Sequence, residues 1–223
     1  MDAKLFGQAI VKFTLGLVIV AALLFVPAGG FAYWQAWLLL AIQFIPMFLA
    51  GLVMMAKSPD LLRKRLNAKE EETEQKEVIA WSGVMFLAAF ILAGLNFRFG
   101  WIVLPKWVPY AAAVVFLLAY VLYAEVLREN AYLSRTIEVQ EGQKVVDTGL
   151  YGIVRHPMYM TTLLLFLAMP LVLGSVISFV VMFFYIPLIA KRIRNEEEVL
   201  EKGLAGYTEY TKKVRYRLIP FIW

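Results

Sequence analysis

Charged residues interrupt the apolar pattern of this chain at only a few places. From Phe13 to Ala56 there is no Asp, Glu, Lys or Arg, a run of 44 residues. Since one membrane crossing takes about 20 apolar residues, this run predicts two transmembrane helices, with the turn at Pro27–Gly30. The charge-free segments 78–97 and 107–124 predict one further helix each.

The last apolar run extends from Pro157 to Ala190, 34 residues without a charge, and it contains Pro170, Gly174 and Ser175 in its middle. Gly and Pro end or bend helices, so this run predicts two short helices in a tight hairpin. We expect the second helix to continue without a break into a polar tail. Together the runs predict an all-α fold, a polytopic membrane helical bundle of about six transmembrane helices.

Composition supports a membrane protein. Apolar residues make up 61% of the 223 positions and charged residues 17%. A chain of this size cannot hide so many apolar side chains from water, which excludes the disordered, collagen-like and ordinary soluble classes. The chain has no Cys and one His, so disulfides, thiolate metal sites, a cysteine nucleophile and a histidine-rich metal centre are excluded, and we expect no metal.

The distribution of basic residues predicts the orientation. With six spans, one side holds the N-terminus, residues 57–77, residues 125–156 and the tail from Lys191, and this side carries 20 of the 22 Lys and Arg. Basic residues concentrate on the cytoplasmic side, so we expect both termini there. The short tails and the lack of a retention signal favour a prokaryotic plasma membrane. The net charge of +5 then reports topology, and no nucleic-acid partner is expected.

The chain divides into three parts. Residues 1–56 form two N-terminal transmembrane helices, residues 57–77 a cytoplasmic amphipathic linker, and residues 78–223 a core with a C-terminal cytoplasmic cofactor-binding region. The linker has leucines at helical spacing, which is typical of a helix at the membrane surface with solvated charges.

Two polar segments have the residues for a site. In the first, the segments 137–139 and 144–146 flank Gln140–Gln143, which predicts a small hairpin with Gly142 in its turn. It continues as GLYGIVRHPMY, residues 149–159. His156 precedes Pro157, and a residue before proline is disfavoured from the helical region. Pro157 itself suits the first turn of the next helix.

His156 therefore stands at the N-terminal end of a membrane helix, where unpaired backbone N–H groups favour anions. The alternative is that a lone His before Pro only caps the helix. Tyr151, Arg155 and Tyr159 crowd the same boundary, which favours a site.

The second segment is the tail. Arg192 and Glu196 are four residues apart and share a helix face. They predict either a surface ion pair or an arginine for an anionic acceptor beside a carboxylate for a cofactor. Glu197 and Glu198 are predicted to point elsewhere and to be solvated. The tail lysines are expected to contact anionic lipids.

The ordered motifs VQEGQKVVDTGLYGIVRHPMY, two apolar helices, RIRNEEEVL, GYTEY and a basic segment ending in IPF resemble the isoprenylcysteine carboxyl methyltransferase family. These integral membrane methyltransferases are similar to phospholipid N-methyltransferases. The resemblance covers residues 130–222, is weaker over 57–80 and is absent from the first two spans.

The resemblance implies S-adenosylmethionine as cofactor and S-adenosylhomocysteine as product. It also implies a lipophilic or lipidated acceptor that enters from the bilayer, with membrane lipids as further partners. It implies that Arg192 faces the acceptor and that Arg215 is the basic residue of the tail. Gln143 departs from the family, where His is common, and Leu150 replaces the usual Pro. The implied cofactor contacts are Gln140, Gln143, Lys144, Val145, Val146, Tyr151, His156, Pro157, Met158, Tyr159 and Glu196.

The acceptor class stays open. A carboxylate such as a prenylcysteine-like C-terminus is already ionised at neutral pH, so alignment and desolvation suffice, with Arg192 as a bidentate partner. An amine or phospholipid acceptor must lose a proton, for which His156 or a tyrosine is the candidate base.

Two other classes of protein share some of these features. NADPH-dependent sterol-type reductases are similar in their C-terminal half and have a His-x-x-Tyr element, usually with Asn before the Tyr. Met158, together with Arg192 and Glu196, favours the methyltransferase. A non-catalytic scaffold or transporter is the third class, but no charged residue lies mid-span to mark an ion path.

Overall fold

The computed structural model describes residues 3–66, 73–133 and 139–223. Within these ranges every regular element is a helix and no strand occurs, which confirms the all-α prediction. The helices are α1 (Ala3–Ala28), α2 (Trp34–Lys57), α3 (Pro59–Leu66), α4 (Thr73–Phe99), α5 (Trp107–Glu129), α6 (Pro157–Val172), α7 (Val176–Phe183), α8 (Tyr185–Gly203) and α9 (Tyr207–Lys213), with a short 3₁₀ turn at Gly149–Gly152 before α6.

Five segments of the described chain are long and apolar enough to cross a membrane, and they fit an integral membrane protein. They are α1, α2, α4, α5 and the combined segment Val176–Gly203. The sixth predicted span corresponds to α6, which has 16 residues and is therefore shorter than the roughly 20 residues of a full crossing. Six full-length spans are not confirmed.

The predicted hairpin of two short helices is present, and its second arm has a one-residue interruption at Phe184. α6 and α7 are joined by a tight turn at Gly174, whose φ is +69°. The turn leads into Ser175, whose side chain accepts from Ser178 N at 3.2 Å. The last helix continues into the polar tail as expected, because Val176–Gly203 is one segment long enough to cross a membrane. A single-residue interruption at Phe184 divides this segment into α7 and α8. Pro187 has no N–H to donate to the Phe183 carbonyl four residues earlier, so one continuous helix is disfavoured there.

The predicted hairpin around Gly142 is present only as a turn. Gln143 N donates to Gln140 O at 3.0 Å, and Gly142 has a φ of +70°. Residues 139 and 144–146 form no strand, and residues 137–138 lie outside the described ranges. Gln140 N donates instead to the side-chain Oε1 of Gln143 at 2.9 Å, so the side chain takes the donor that a strand ladder would use.

The amphipathic linker is helical over α3. Leu62 is buried against Leu5 and Met55, and the neighbouring charged side chains Asp60 and Arg63 are exposed. The backbone carbonyl of Leu66 accepts from Lys12 Nζ at 2.7 Å. Residues 67–72 of the linker lie outside the described ranges, and residues 73–77 belong to the start of α4. These contacts attach α3 to the N-terminal half of α1 and to the C-terminal end of α2.

Close packing of α1 against α4 depends on Gly94. A Cβ atom at this position would lie 2.7 Å from Leu24 O and 3.0 Å from Pro27 Cβ. We expect Gly94→Ala to separate the helices and to lower the unfolding free energy by about 1–3 kcal/mol. Gly83→Ala, in the same helix with nothing within 4 Å of the added Cβ, is the matched control and should be neutral or slightly stabilising.

Thermal unfolding of the two variants in the same detergent checks this prediction. Equal midpoints for Gly94→Ala and Gly83→Ala would contradict a close α1–α4 contact at Gly94.

Candidate functional site

A cavity lies between the start of α6, the polar half of α8, α9 and the segment that follows α5. Ten predicted site residues line it: Gln143, Lys144, Val145, Val146, Tyr151, His156, Met158, Tyr159, Arg192 and Glu196. The other lining residues are Asn130, Tyr132, Leu133, Arg155, Leu200, Leu204, Tyr207 and Tyr210.

The Tyr159 hydroxyl joins the two predicted groups of α8. Arg192 Nε donates to Tyr159 Oη at 3.0 Å, and Tyr159 Oη donates to Glu196 Oε2. His156 Nδ1 lies 3.9 Å from Glu196 Oε1. Tyr159 belongs to the first turn of α6, so this turn connects the arginine and the carboxylate on one face of α8.

His156 does not act as a simple helix cap. Its backbone is non-helical, with φ −124° and ψ 61°, and its side chain makes no capping hydrogen bond. The ring instead places Nε2 3.2 Å from Glu197 Oε1. Pro157 occupies the start of α6 as predicted and is buried, so it shapes the turn without lining the cavity.

The prediction that Glu197 is solvated is wrong. Its side chain is 6% exposed and accepts hydrogen bonds from Arg155 Nε at 2.7 Å and from Arg217 Nε at 2.7 Å, in addition to the His156 contact. A stripe of every fourth residue, Ile189, Ile193 and Glu197, is buried on α8. That spacing was the sequence signal for burial, and the charge of Glu197 obscured it. Glu198 is exposed, as predicted.

The C-terminal tail is bound to the segment before α6. Arg155 N donates to Tyr216 O and His156 N to Arg217 O, both at 2.9 Å. Arg155 Nη1 also donates to the carbonyls of Val214 and Arg215, at 2.8 and 2.9 Å. The Arg215 side chain is exposed and does not line the cavity. Arg217 is the tail residue whose side chain reaches the buried carboxylate.

Three neighbouring side chains hold Tyr151 and the 3₁₀ turn that contains it. Glu129 Oε2 accepts from Leu150 N at 3.0 Å and so fixes the 3₁₀ turn. Asn130 Nδ2 donates to Tyr151 Oη at 3.0 Å, and Tyr210 Oη donates to Tyr151 O at 2.7 Å. Burial raises the pKa of the Tyr151 hydroxyl, so it stays protonated at neutral pH.

Gln140 supports the loop and does not line the cavity. Its Nε2 donates to Tyr132 O at 2.7 Å, while its backbone N binds the Gln143 side chain. Both partners line the cavity, so Gln140 acts on the cavity through them.

One contact to the cavity comes from the N-terminal half and was missed. Arg65 of α3 places Nη1 3.7 Å from Met158 Sδ, and its Nη2 donates to Tyr123 Oη. Arg65 and Met158 are 93 positions apart, so no local sequence signal links them.

Comparison with known proteins identifies the class of this region. Residues 110–202, from α5 to the end of α8, match the Isoprenylcysteine carboxyl methyltransferase (ICMT) family. The resemblance predicted from the sequence is therefore confirmed over this region, which holds His156, Tyr159, Arg192 and Glu196.

Two curated relatives carry a different name. The chain is 34% identical over 91 residues to the Delta(14)-sterol reductase TM7SF2 of Mus musculus, and 30% identical over 93 residues to a Delta(14)-sterol reductase of Methylotuvimicrobium alcaliphilum. Each match covers 40% of this chain and 22% of the relative. The chain thus spans about a fifth of the length of these relatives.

Proposed function

We propose that this chain is an integral membrane S-adenosylmethionine-dependent methyltransferase. Its acceptor is a lipophilic molecule that carries a carboxylate, such as a prenylcysteine-like C-terminus. The proposal depends on the hydrogen-bonded series Arg192–Tyr159–Glu196. These bonds hold a cation and a carboxylate in one cavity, within the region that matches the ICMT family.

The cavity has the chemistry that the cofactor requires. Glu196 supplies an acceptor for an ammonium or for ribose hydroxyls, and the apolar side chains of Val145, Leu200 and Leu204 suit a nucleoside base. We propose that Glu196, His156, Met158, Tyr151 and the 143–146 segment hold S-adenosylmethionine there. When bound, this cofactor supplies an electrophilic methyl group.

The residues of this chain then have to align the acceptor and exclude water. Arg192 binds the acceptor carboxylate through two parallel hydrogen bonds, and Tyr159 fixes the guanidinium relative to Glu196. A carboxylate needs no general base at neutral pH, so alignment in a dry cavity accounts for most of the rate. If the acceptor is an amine, His156 is the candidate base.

The proposed orientation places this site on the cytoplasmic side. The site-bearing segments belong to the side with 20 of the 22 Lys and Arg, and the basic side of a membrane protein faces the cytoplasm. We propose six crossings, with α6 as a short one, and both termini in the cytoplasm. A water-soluble cofactor then enters from the cytosol, and a lipid-tailed acceptor enters from the bilayer.

The test of the function is transfer of a labelled methyl group. Purified protein is incubated with methyl-labelled S-adenosylmethionine and either farnesylcysteine-type mimics or membrane lipid extracts. We expect base-labile methyl ester formation on the mimics. Label that enters only lipid amines would move the assignment to N-methylation, and no transfer to any acceptor would refute the proposal.

A second prediction concerns Glu196 alone. Glu196→Gln keeps an oxygen for the Tyr159 hydroxyl but removes the charge, so we expect S-adenosylhomocysteine affinity to fall by about tenfold or more. Glu198→Gln, an exposed neighbour on α8, is the matched control. Calorimetry with the purified variants measures the effect, and equal affinities would remove Glu196 from the cofactor site.

NADPH-dependent reduction is the second candidate, because both named relatives are sterol reductases. The two functions differ in their cofactor. A purified protein that binds NADPH in preference to S-adenosylhomocysteine would reverse the choice.

A further inference from the structure

The hydroxyl of Tyr207 is the unusual group of the cavity. Tyr207 is 4% exposed and lines the cavity, yet its hydroxyl has no hydrogen-bond partner among the residues that the structure describes. Burying a hydroxyl without a partner costs free energy, because its hydrogen bonds to water are lost and no other bond replaces them. Such a group in a binding cavity suggests that a ligand supplies the missing partner.

The other tyrosines that line the cavity are used internally. The hydroxyls of Tyr132 and Tyr210 donate to the carbonyls of Gly142 and Tyr151, at 3.1 and 2.7 Å. The hydroxyl of Tyr151 accepts from Asn130, and that of Tyr159 bonds with Arg192 and Glu196. Tyr207 differs from these four in the part of the chain that is described.

The cavity has a charged end and an aromatic end. Arg192, Glu196 and Leu200 follow one another at every fourth position and line the cavity, so they form one row along α8. Leu204, which also lines the cavity, follows directly after the end of this helix. Arg192 and Glu196 contact Tyr159 at one end of this row. At the other end Leu204 packs with Tyr207 and Tyr210, whose rings are 5.7 Å apart, and Val145 and Leu200 pack against this cluster.

We propose that the aromatic end is a subsite for an adenine ring and that the Tyr207 hydroxyl donates a hydrogen bond to one of its ring nitrogens. The inference rests on the proposed function for the choice of an adenosyl cofactor. An adenine ring has flat apolar faces that suit the leucine, valine and tyrosine surfaces, and its ring nitrogens are acceptors. The charged groups of a cofactor belong at the opposite end, with Glu196.

Tyr207 keeps its proton under the conditions of binding. Burial raises the pKa of its hydroxyl, and the nearby carboxylates of Glu197 and Glu196 raise it further. The hydroxyl therefore remains a hydrogen-bond donor at neutral pH. This subsite also sets the direction of the cofactor along α8, with the base at Leu204 and the reactive end at Tyr159.

Tyr207→Phe tests the subsite through two opposite effects. Without ligand, the variant loses only an unpartnered hydroxyl, so its melting temperature should be unchanged or higher. Affinity for S-adenosylhomocysteine and for methylthioadenosine, which lacks the amino-acid part, should fall about five- to tenfold. Tyr210→Phe is the matched control: it loses an internal hydrogen bond to Tyr151 O, so its ligand-free melting temperature should fall.

The outcomes separate this inference from the proposed function. Equal affinities of wild type and Tyr207→Phe for both nucleosides overturn the subsite and leave the methyltransferase proposal standing, and a lower ligand-free melting temperature of the variant also overturns it. If the wild type binds NADPH and neither nucleoside, and Tyr207→Phe weakens that binding, the subsite stands and the methyltransferase proposal fails. If none of the three ligands binds, both fail.

Discussion

Glu197→Gln is expected to lower the melting temperature by about 10 °C and to abolish methyl transfer, the largest combined loss that we predict for a single substitution. The carboxylate is buried and accepts from Arg155, His156 and Arg217. Removing the charge leaves the buried Arg155 guanidinium without its counter-ion, and breaking a buried ion pair in this way costs about 3–5 kcal/mol. For a chain of this length that corresponds to roughly 10 °C.

The loss of activity follows from what this carboxylate joins. It binds α8 to the segment before α6, through Arg155 and His156, and to the C-terminal tail, through Arg217. These segments carry the wall of the cavity at the start of α6. Without the ion pairs, the first turn of α6 no longer holds Tyr159 between Arg192 and Glu196.

Thermal unfolding in detergent and the methyl-transfer assay measure this effect. Glu198→Gln removes the same charge one residue later, at an exposed position, and should change the unfolding free energy by less than about 0.5 kcal/mol. If Glu197→Gln has the same melting temperature as Glu198→Gln and still transfers the methyl group, the charge of the buried carboxylate is dispensable.

Local sequence information was sufficient for part of this site. His156, Met158 and Tyr159 are adjacent to Pro157, which fixes the local chain direction at the start of a helix. Arg192 and Glu196 share a face by helical spacing alone. These groups line one cavity because the two helices that carry them pack together at the cavity.

Long-range packing decided the rest. The burial of Glu197 depends on Arg155 and Arg217, which are 42 and 20 positions away. The Arg65 contact with Met158 crosses 93 positions, and the unpartnered Tyr207 hydroxyl is visible only once the surrounding cavity is formed. The apolar runs gave the helices, but a run without charges does not show where a helix breaks, as at Phe184.

Long-range contacts also connect the N-terminal helices to the site. α1 and α2 lie outside the residues that match the family model, and they hold α3 in place through the Lys12 and Leu62 contacts. α3 then presents Arg65 to Tyr123 and Met158. The N-terminal helices therefore contact the cavity-lining residue Met158 through Arg65 of α3.

The second large effect is a loss of turnover that leaves cofactor binding intact. Arg192→Ala is expected to reduce methyl transfer at least about a hundredfold, because the guanidinium orients the acceptor carboxylate. The Arg155 guanidinium, which also lines the cavity, is paired with Glu197 and does not replace it. Affinity for S-adenosylhomocysteine should change by less than about twofold, since Glu196 and the aromatic end of the cavity remain.

Two further variants make the Arg192 prediction specific. Arg192→Lys keeps the charge but loses the planar fork, so it should restore only part of the activity. Arg194→Ala, an exposed position on another face of α8, is the matched control and should retain wild-type turnover. Single-turnover transfer and calorimetry on the same preparations separate chemistry from binding. Turnover by Arg192→Ala comparable to that of Arg194→Ala would exclude Arg192 from the acceptor site, whereas a parallel loss of cofactor affinity would make it a cofactor ligand.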